Sequence, residues 1–377
     1  MSDRVLIVGG TGRIGSSVAR DLLAHTDAHL TITGRNAAKG EAVRQQLGER
    51  VDFLQLDLND RDRLPEAIGD SHLTIHTAGP FHDRDGRVLD SCIAAGVNYL
   101  DVSDDRTFTK TALAKSELAR EAGMTAAINT GIFPGVSNSL TRYGVERLDE
   151  AETIEIAYVV GGSGGAGVTV MRTTFLGLQA PFEAWIDDKW QVVEPYSDRE
   201  TVDFGAPYGK IGVYWFDMPE VYTLPQSFPV KTAIAKFGSA PDLYNRLTWI
   251  VARSPAAWLK NHAVVEFLSY VSYAMTALTD RAFGIGVVVR SRVSGRKNGQ
   301  PATVCTSVAH PETAIVTGMG AGAIAQRLLE GSVGQPGVFP VERLLPTDLF
   351  LEGMTRRGIK IEQTWESSGA IAPDRPN

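Results

Sequence analysis

The chain has 377 residues, 43% hydrophobic and 21% charged, which is the composition of a soluble globular protein and excludes a disordered one. Its 44 acidic residues outnumber 37 basic ones for a net charge of −7, with no dense basic stripe, so nucleic acid is not an expected partner. The two cysteines, Cys92 and Cys305, lie far apart without metal-ligand spacing, which supports neither a disulfide framework nor a metal site and fits a reducing cytoplasm.

At this length two domains are expected. Met1–Arg4 leads straight into the apolar run Val5-Leu6-Ile7-Val8 without a signal-like region, so secretion is not expected. Four consecutive apolar residues suit a parallel strand covered on both faces. Gly10, Gly12 and Gly15 follow as G-x-G-x-x-G, and Ile14, Val18 and Leu22 continue at helical spacing. A strand, this glycine turn and a helix together predict a dinucleotide grip, with Gly10, Thr11, Gly12, Arg13 and Ile14 around the pyrophosphate.

The second predicted strand, His29–Gly34, ends in Arg35-Asn36 with Lys39 close behind and no carboxylate before Glu41. An NAD site usually carries Asp or Glu there, whereas cations accommodate a 2′-phosphate, so the expected cofactor is NADP(H). A third strand ends at Asp57-Leu58, candidates for the adenine edge. The fourth, from Leu73, breaks at Thr77-Ala78-Gly79-Pro80, small residues that leave room for the cofactor chain. His76 lies inside that apolar run and reads as a core histidine, while His82 on the following loop is a better acid/base candidate. A helix at 88–95, a strand ending at Ser103, a helix at 109–122 and a strand at 124–129 complete six strands alternating with helices. That is a Rossmann-type, doubly wound α/β domain.

From Glu152 the pattern changes. Thr153–Val159 alternates as a half-buried strand does, and Gly161–Gly167 is a second glycine-rich turn before a helix at 168–178. Lacking a following Lys-Ser/Thr pair, this turn is expected to face substrate, with Ser163, Gly164 and Arg172 as contacts. Residues 183–230 are rich in aromatics and proline and suit the walls of a pocket. Two helical stretches, 241–259 and 262–280, precede strands joined through Asn298-Gly299, a hairpin signal. The apolar segment 263–278 contains Glu266 and is shorter than the ~20 residues of a spanning helix. It reads as a core or interface helix, with membrane-surface contact as the alternative because Trp249 and Trp258 lie just upstream. A helix at 322–329, a rigid turn at 334–340, a helix at 349–357, a short strand at 359–361 and a disordered tail from Ser367 finish the chain.

These residues add up to a resemblance. Gly9–Gly15, Ala78-Gly79-Pro80-Phe81, the stretch Cys92–Ser103, Gly131-Ile132-Phe133-Pro134-Gly135-Val136-Ser137-Asn138 and Pro336-Gly337-Val338 together resemble the saccharopine dehydrogenase/reductase-like family. The resemblance implies an N-terminal dinucleotide-binding domain (1–133, with 345–366 returning to it) and a mixed α/β substrate and dimerisation domain (134–344). It also implies a homodimer and an NAD(P)H-dependent oxidoreductase acting on C=N or a related bond, C=O or C=C, of a small substrate. Phe133 and Asn138 fall at the substrate side. Members reducing the imine that leads to saccharopine carry an aspartate where this chain has Phe133, so acid/base work must move elsewhere, and the substrate is expected to be less charged and more hydrophobic. His82, Asp104, Tyr208 and Tyr214 are the candidates for handling the proton. The second reading is a non-catalytic NADP(H)-binding sensor or assembly protein.

Overall fold

A computed structural model describes residues 3–162, 168–283 and 285–366. Ser163, Gly164 and the tail from Ser367 lie outside the described residues. Strand and helix alternate first: β1 (Arg4–Val8), α1 (Arg13–His25), β2 (His29–Gly34), α2 (Ala37–Leu47), β3 (Val51–Gln55), α3 (Arg63–Gly69), β4 (Leu73–His76), α4 (Arg87–Ala95), β5 (Asn98–Asp101), α5 (Arg106–Leu113), α6 (Ser116–Glu121) and β6 (Thr125–Ile128). Next come α7 (Val136–Val145), β7 (Glu150–Gly161), α8 (Val168–Leu176), β8 (Phe182–Ile186), β9 (Lys189–Val193), β10 (Glu200–Asp203), β11 (Lys210–Trp215), α9 (Glu220–Ser227), β12 (Thr232–Ala240), α10 (Leu243–Ala252), α11 (Ala256–Leu259) and α12 (His262–Phe283). The hairpin β13 (Gly286–Lys297) and β14 (Gln300–His310) is followed by α13 (Thr313–Leu329), β15 (Gly337–Pro340), α14 (Val341–Leu344), α15 (Thr347–Arg356) and β16 (Ile361–Glu366).

The first sheet has seven parallel strands in the order β15-β6-β5-β4-β1-β2-β3. Alternate β1 side chains serve opposite faces: Val5 and Ile7 pack with Val18 and Leu22 of α1, and Leu6 and Val8 with Leu64, Val88 and Leu89. Both faces are covered, which is why the strand is apolar throughout. The order reverses between β1 and β4, and the loops leaving their carboxyl ends open the crevice in which doubly wound sheets bind ligands.

The second sheet is mixed, in the order β10-β11-β12-β7-β13-β14-β16, with β8 and β9 attached beside β12. Its β7 buries Ile154, Ile156 and Tyr158 in alternation, as the sequence pattern predicts. Asn298 and Gly299 both take left-handed φ, 50° and 75°, and turn β13 into β14.

Three expectations are corrected. The predicted helix 109–122 is two helices, α5 and α6. The stretch read as a turn at 334–340 contains β15, which extends the first sheet beside β6; Pro336 and Pro340 disguise it, and as an edge strand it tolerates the missing donor. The last strand, β16, does not return to the first sheet but pairs with β14. What does return is α13, packed along α1, and the end of α15, where Arg357 donates to the buried Asp21 carboxylate at 2.7 Å.

Candidate functional site

Two cavities meet at the carboxyl edge of the first sheet. One, of about 450 Å³, is lined along its length by Gly12, Arg13 and Ile14, by Arg35 and Lys39, by Asp57 and Leu58, and by the turn Thr77–Pro80. The other, of about 540 Å³, lies between the two sheets. Asp104, Val170, Thr173 and Thr313 line both.

The glycine turn works by close approach. Gly9 has φ +81° and abuts Ala78, where a Cβ would come within 2.9 Å, so a side chain there would be strained and would fill the crevice. A Cβ on Gly15 would lie 2.5 Å from the Gly9 carbonyl oxygen, so glycine is what seats α1 against the turn. Gly12, at the N-cap of α1, makes no side-chain cap, and with Arg13 and Ile14 of the first turn it lines the cavity. At the end of β2, Arg35 and Lys39 are exposed and neither is ion-paired with another described residue, while Glu41 is held by Arg44 at 2.7 Å. Two free cations without a competing carboxylate fit the 2′-phosphate of NADP.

Three of the proposed cofactor contacts sit elsewhere. Gly10 faces Ile32 of β2, its absent Cβ making that packing possible. Asn36 caps α2, accepting from the Lys39 amide at 2.9 Å. Ser103 is fully buried and its hydroxyl accepts from the Asp105 amide at 3.2 Å, shaping the loop without lining the cavity.

That loop is fixed at both ends. Asp101 accepts from the amides of Ser103 and Asn129 at 3.0 and 2.9 Å, which fixes the chain leaving β5. Arg106 then bonds Asp217 at 2.6 Å and the Glu183 carbonyl at 2.7 Å, tying the loop to the second sheet. Between these anchors Asp104 reaches the junction of the cavities. Burial first, then the neighbouring Asp105 and Asp101, raise its carboxyl to about 6 against the pull of its own amide and His82. A carboxyl of that character both gives and takes a proton near neutrality. His82 lines the larger cavity 3.3 Å from Asp105. His76, as read from the sequence, is core: burial lowers it to about 3, so it stays neutral among Phe81, Tyr99 and Phe108.

The other candidates separate. Phe133 lines the larger cavity, its ring 4.9 Å from Tyr158. Tyr208, on the loop before β11, lies against Gly161 and Gly286, and Tyr214 of β11 is buried and stacked on Tyr196 at 4.6 Å; neither lines either of the two cavities. Asn138 donates to Glu342 at 2.9 Å inside a fully buried network. Arg172 projects from α8 toward α12, where it pairs with Glu266. Its neighbours Met171 and Thr173 face the cavity instead.

Most of the larger cavity is apolar, walled by Phe133, Phe175, Phe216, Phe237, Leu268 and Met275. Among the described residues lining it, Arg106 is the one fixed cation, and Asp217 already pairs with it. Sequence reasoning missed Arg84, whose guanidinium bonds the Ala78 carbonyl at 2.8 Å, and also Thr313, Ala314 and Thr317 of α13. Glycines at 318, 320 and 322 concealed the first half of that helix. No signal short of its packing on α1 could have shown it.

Residues 5–127 match the family described as the saccharopine dehydrogenase NADP binding domain. Carboxynorspermidine synthase of Vibrio cholerae is 25% identical over 394 residues, spanning 93% of this chain and 94% of that protein. Carboxyaminopropylagmatine dehydrogenase of Synechocystis sp. is 24% identical over 392 residues, with 94% and 96% covered. In fold, saccharopine dehydrogenase (L-Glu forming) of Saccharomyces cerevisiae superposes with a TM-score of 0.70 at 13% identity, covering 97% of this chain and all of the other. No described helix is long and apolar enough to cross a membrane.

Proposed function

We propose that this chain, an NADP-dependent oxidoreductase of the saccharopine dehydrogenase-like type, reduces a C=N bond, or a C=O or C=C bond, of a small hydrophobic substrate. The bound cofactor supplies the hydride; the chain's own residues hold, orient and protonate. Arg35 and Lys39 would hold the 2′-phosphate, the first turn of α1 the pyrophosphate, and Thr77–Pro80 the path of the nicotinamide half. Asp104 carries the proposal: it lines both cavities, so a proton held on its carboxyl lies where the reacting bond must sit. Reduction adds two electrons and one proton as hydride and a second proton at the heteroatom or alkene carbon; Asp104 would give that second proton and recover it from solvent. The apolar walls exclude water and select a hydrophobic body, and the lack of an unpaired arginine among the described residues lining the larger cavity disfavours a dicarboxylate. The relatives are named for carboxylated amines, which supports C=N as the bond.

NADPH consumption by the purified protein, followed at pH 6 to 7 across a panel of hydrophobic imines, ketones and enoyl compounds, is expected to appear with at least one class. Cofactor binding with no turnover of any member would favour the sensor reading.

A surface accompanies this site. Among the described residues, nine of the thirteen exposed large hydrophobics lie within 243–278, and Leu247, Ile250 and Val271 of that set also line the larger cavity. Arg246, Arg253 and Lys260 are exposed in the same segment, whose one acidic residue, Glu266, is paired with Arg172, whereas the whole chain is net −7. Cationic charge around exposed tryptophans suits an anionic lipid surface from which an apolar substrate would enter directly. Flotation with vesicles containing phosphatidylserine is expected to carry the protein, and Trp249→Ser with Trp258→Ser to release it. A homodimer, expected from the family, would instead appear as a double-mass species whose dissociation by the same substitutions overturns the lipid assignment.

A further inference from the structure

The N-terminus of α13 is an unassigned feature of the cofactor cavity. Gly318 of α13 faces Ser17 of α1, where a Cβ would lie 2.6 Å from the serine Cβ, and Gly322 faces Asp21. Numbers rise together along both helices, so α13 runs parallel to α1 in close contact. Five residues back from Gly318 is Thr313, and five back from Ser17 is Gly12. The two helix N-termini therefore stand level, and both Gly12 and Thr313 line the smaller cavity.

Two helices of 13 and 17 residues thus present the positive ends of their dipoles side by side to the same cavity. At α13 the N-cap residue, Glu312, makes no side-chain cap bond. The hydroxyl of Thr313 has no hydrogen-bond partner although the residue is only 9% exposed. A buried hydroxyl without a partner is uncommon, and the residue that carries it borders both cavities.

We propose that Thr313 and the first-turn amides of α13 form a second anion-binding point for the cofactor, taking an oxygen of the nicotinamide-side phosphate while α1 takes its neighbour. The site accepts an anionic oxygen, and a phosphate has enough oxygens to bridge two level helix ends. This rests on the NADP reading above and extends it to a helix about 300 residues downstream of the glycine turn. The return of the C-terminal segment to the first sheet then completes the cofactor site as well as the fold.

Calorimetric titration of wild type, Thr313→Val and Thr313→Ser with NADPH and with adenosine 2′,5′-bisphosphate, which lacks the nicotinamide-side phosphate, tests the proposal. Valine keeps the shape and removes the hydroxyl. It is expected to weaken NADPH about 10- to 100-fold, as for a hydrogen bond to a charged group, and to leave the bisphosphate unchanged, with serine restoring NADPH affinity. NADPH bound equally by wild type and valine variant overturns the inference, as does a parallel loss for both ligands. Wild-type protein that binds no NADPH overturns the cofactor reading itself, a separate outcome.

Discussion

Asp104→Asn is expected to lower kcat/KM for reduction about 10²- to 10⁴-fold, the usual contribution of a positioned proton donor, while leaving the Kd for NADPH within a few-fold of wild type. The pH profile makes the test specific. With its carboxyl raised to about 6, Asp104 is the acid below that value and the carboxylate above it. Reduction needs the acid, so wild-type kcat/KM falls as pH rises through about 6, and the reverse reaction rises over the same interval. Asparagine removes both inflections. Stability falls with rising pH over the same interval. A carboxyl raised on folding contributes most below its unfolded value and loses that contribution as pH rises through its folded one. At pH 7 the ionised Asp104 therefore costs stability, and asparagine is expected to leave the Tm unchanged or higher. A variant that loses activity by misfolding would show a lower Tm; one that keeps the wild-type pH profile would take the proton role away from Asp104 and return attention to His82.

Arg35→Glu is expected to weaken NADPH about 10- to 100-fold, and to change NADH affinity little or improve it, because glutamate at this position suits a ribose 2′-hydroxyl. The effect comes from a guanidinium without an intramolecular partner: no ion pair has to be broken to release it to a phosphate. Lys39→Ala is expected to add a smaller loss, since an exposed lysine acts as a point charge. Titration of each variant with both nucleotides gives the ratio directly. An unchanged ratio would mean that the 2′-phosphate is held elsewhere.

Much of the first domain was legible from local pattern. Val5–Val8, the glycines and Arg35 sit on adjacent elements, so their spacing in sequence is their spacing in space. The candidates that separated, Tyr208, Tyr214, Asn138 and Arg172, lie where direction depends on packing: a tyrosine on β11 faces one side or the other, and Arg172 turns to Glu266 while Thr173 turns inward. In the sequence Asp104 stands with His82 ahead of the two tyrosines as a proton candidate, and nothing local ranks it above the histidine; its standing comes from a loop held by Asp101 behind and Arg106 ahead, the latter through Asp217, 111 residues away.

By itself the sequence determined the parallel α/β domain, its glycine turn and the cofactor class, because each follows from residues within one βαβ unit, where chain geometry leaves little freedom. Only the tertiary structure decided the rest. It brought α13 level with α1, set β15 beside β6 and sent β16 to the other sheet, and it opened an apolar cavity onto Asp104. Those relations join segments hundreds of residues apart, and they are set by which small residues let two surfaces approach, a property of pairs that no single stretch of sequence contains.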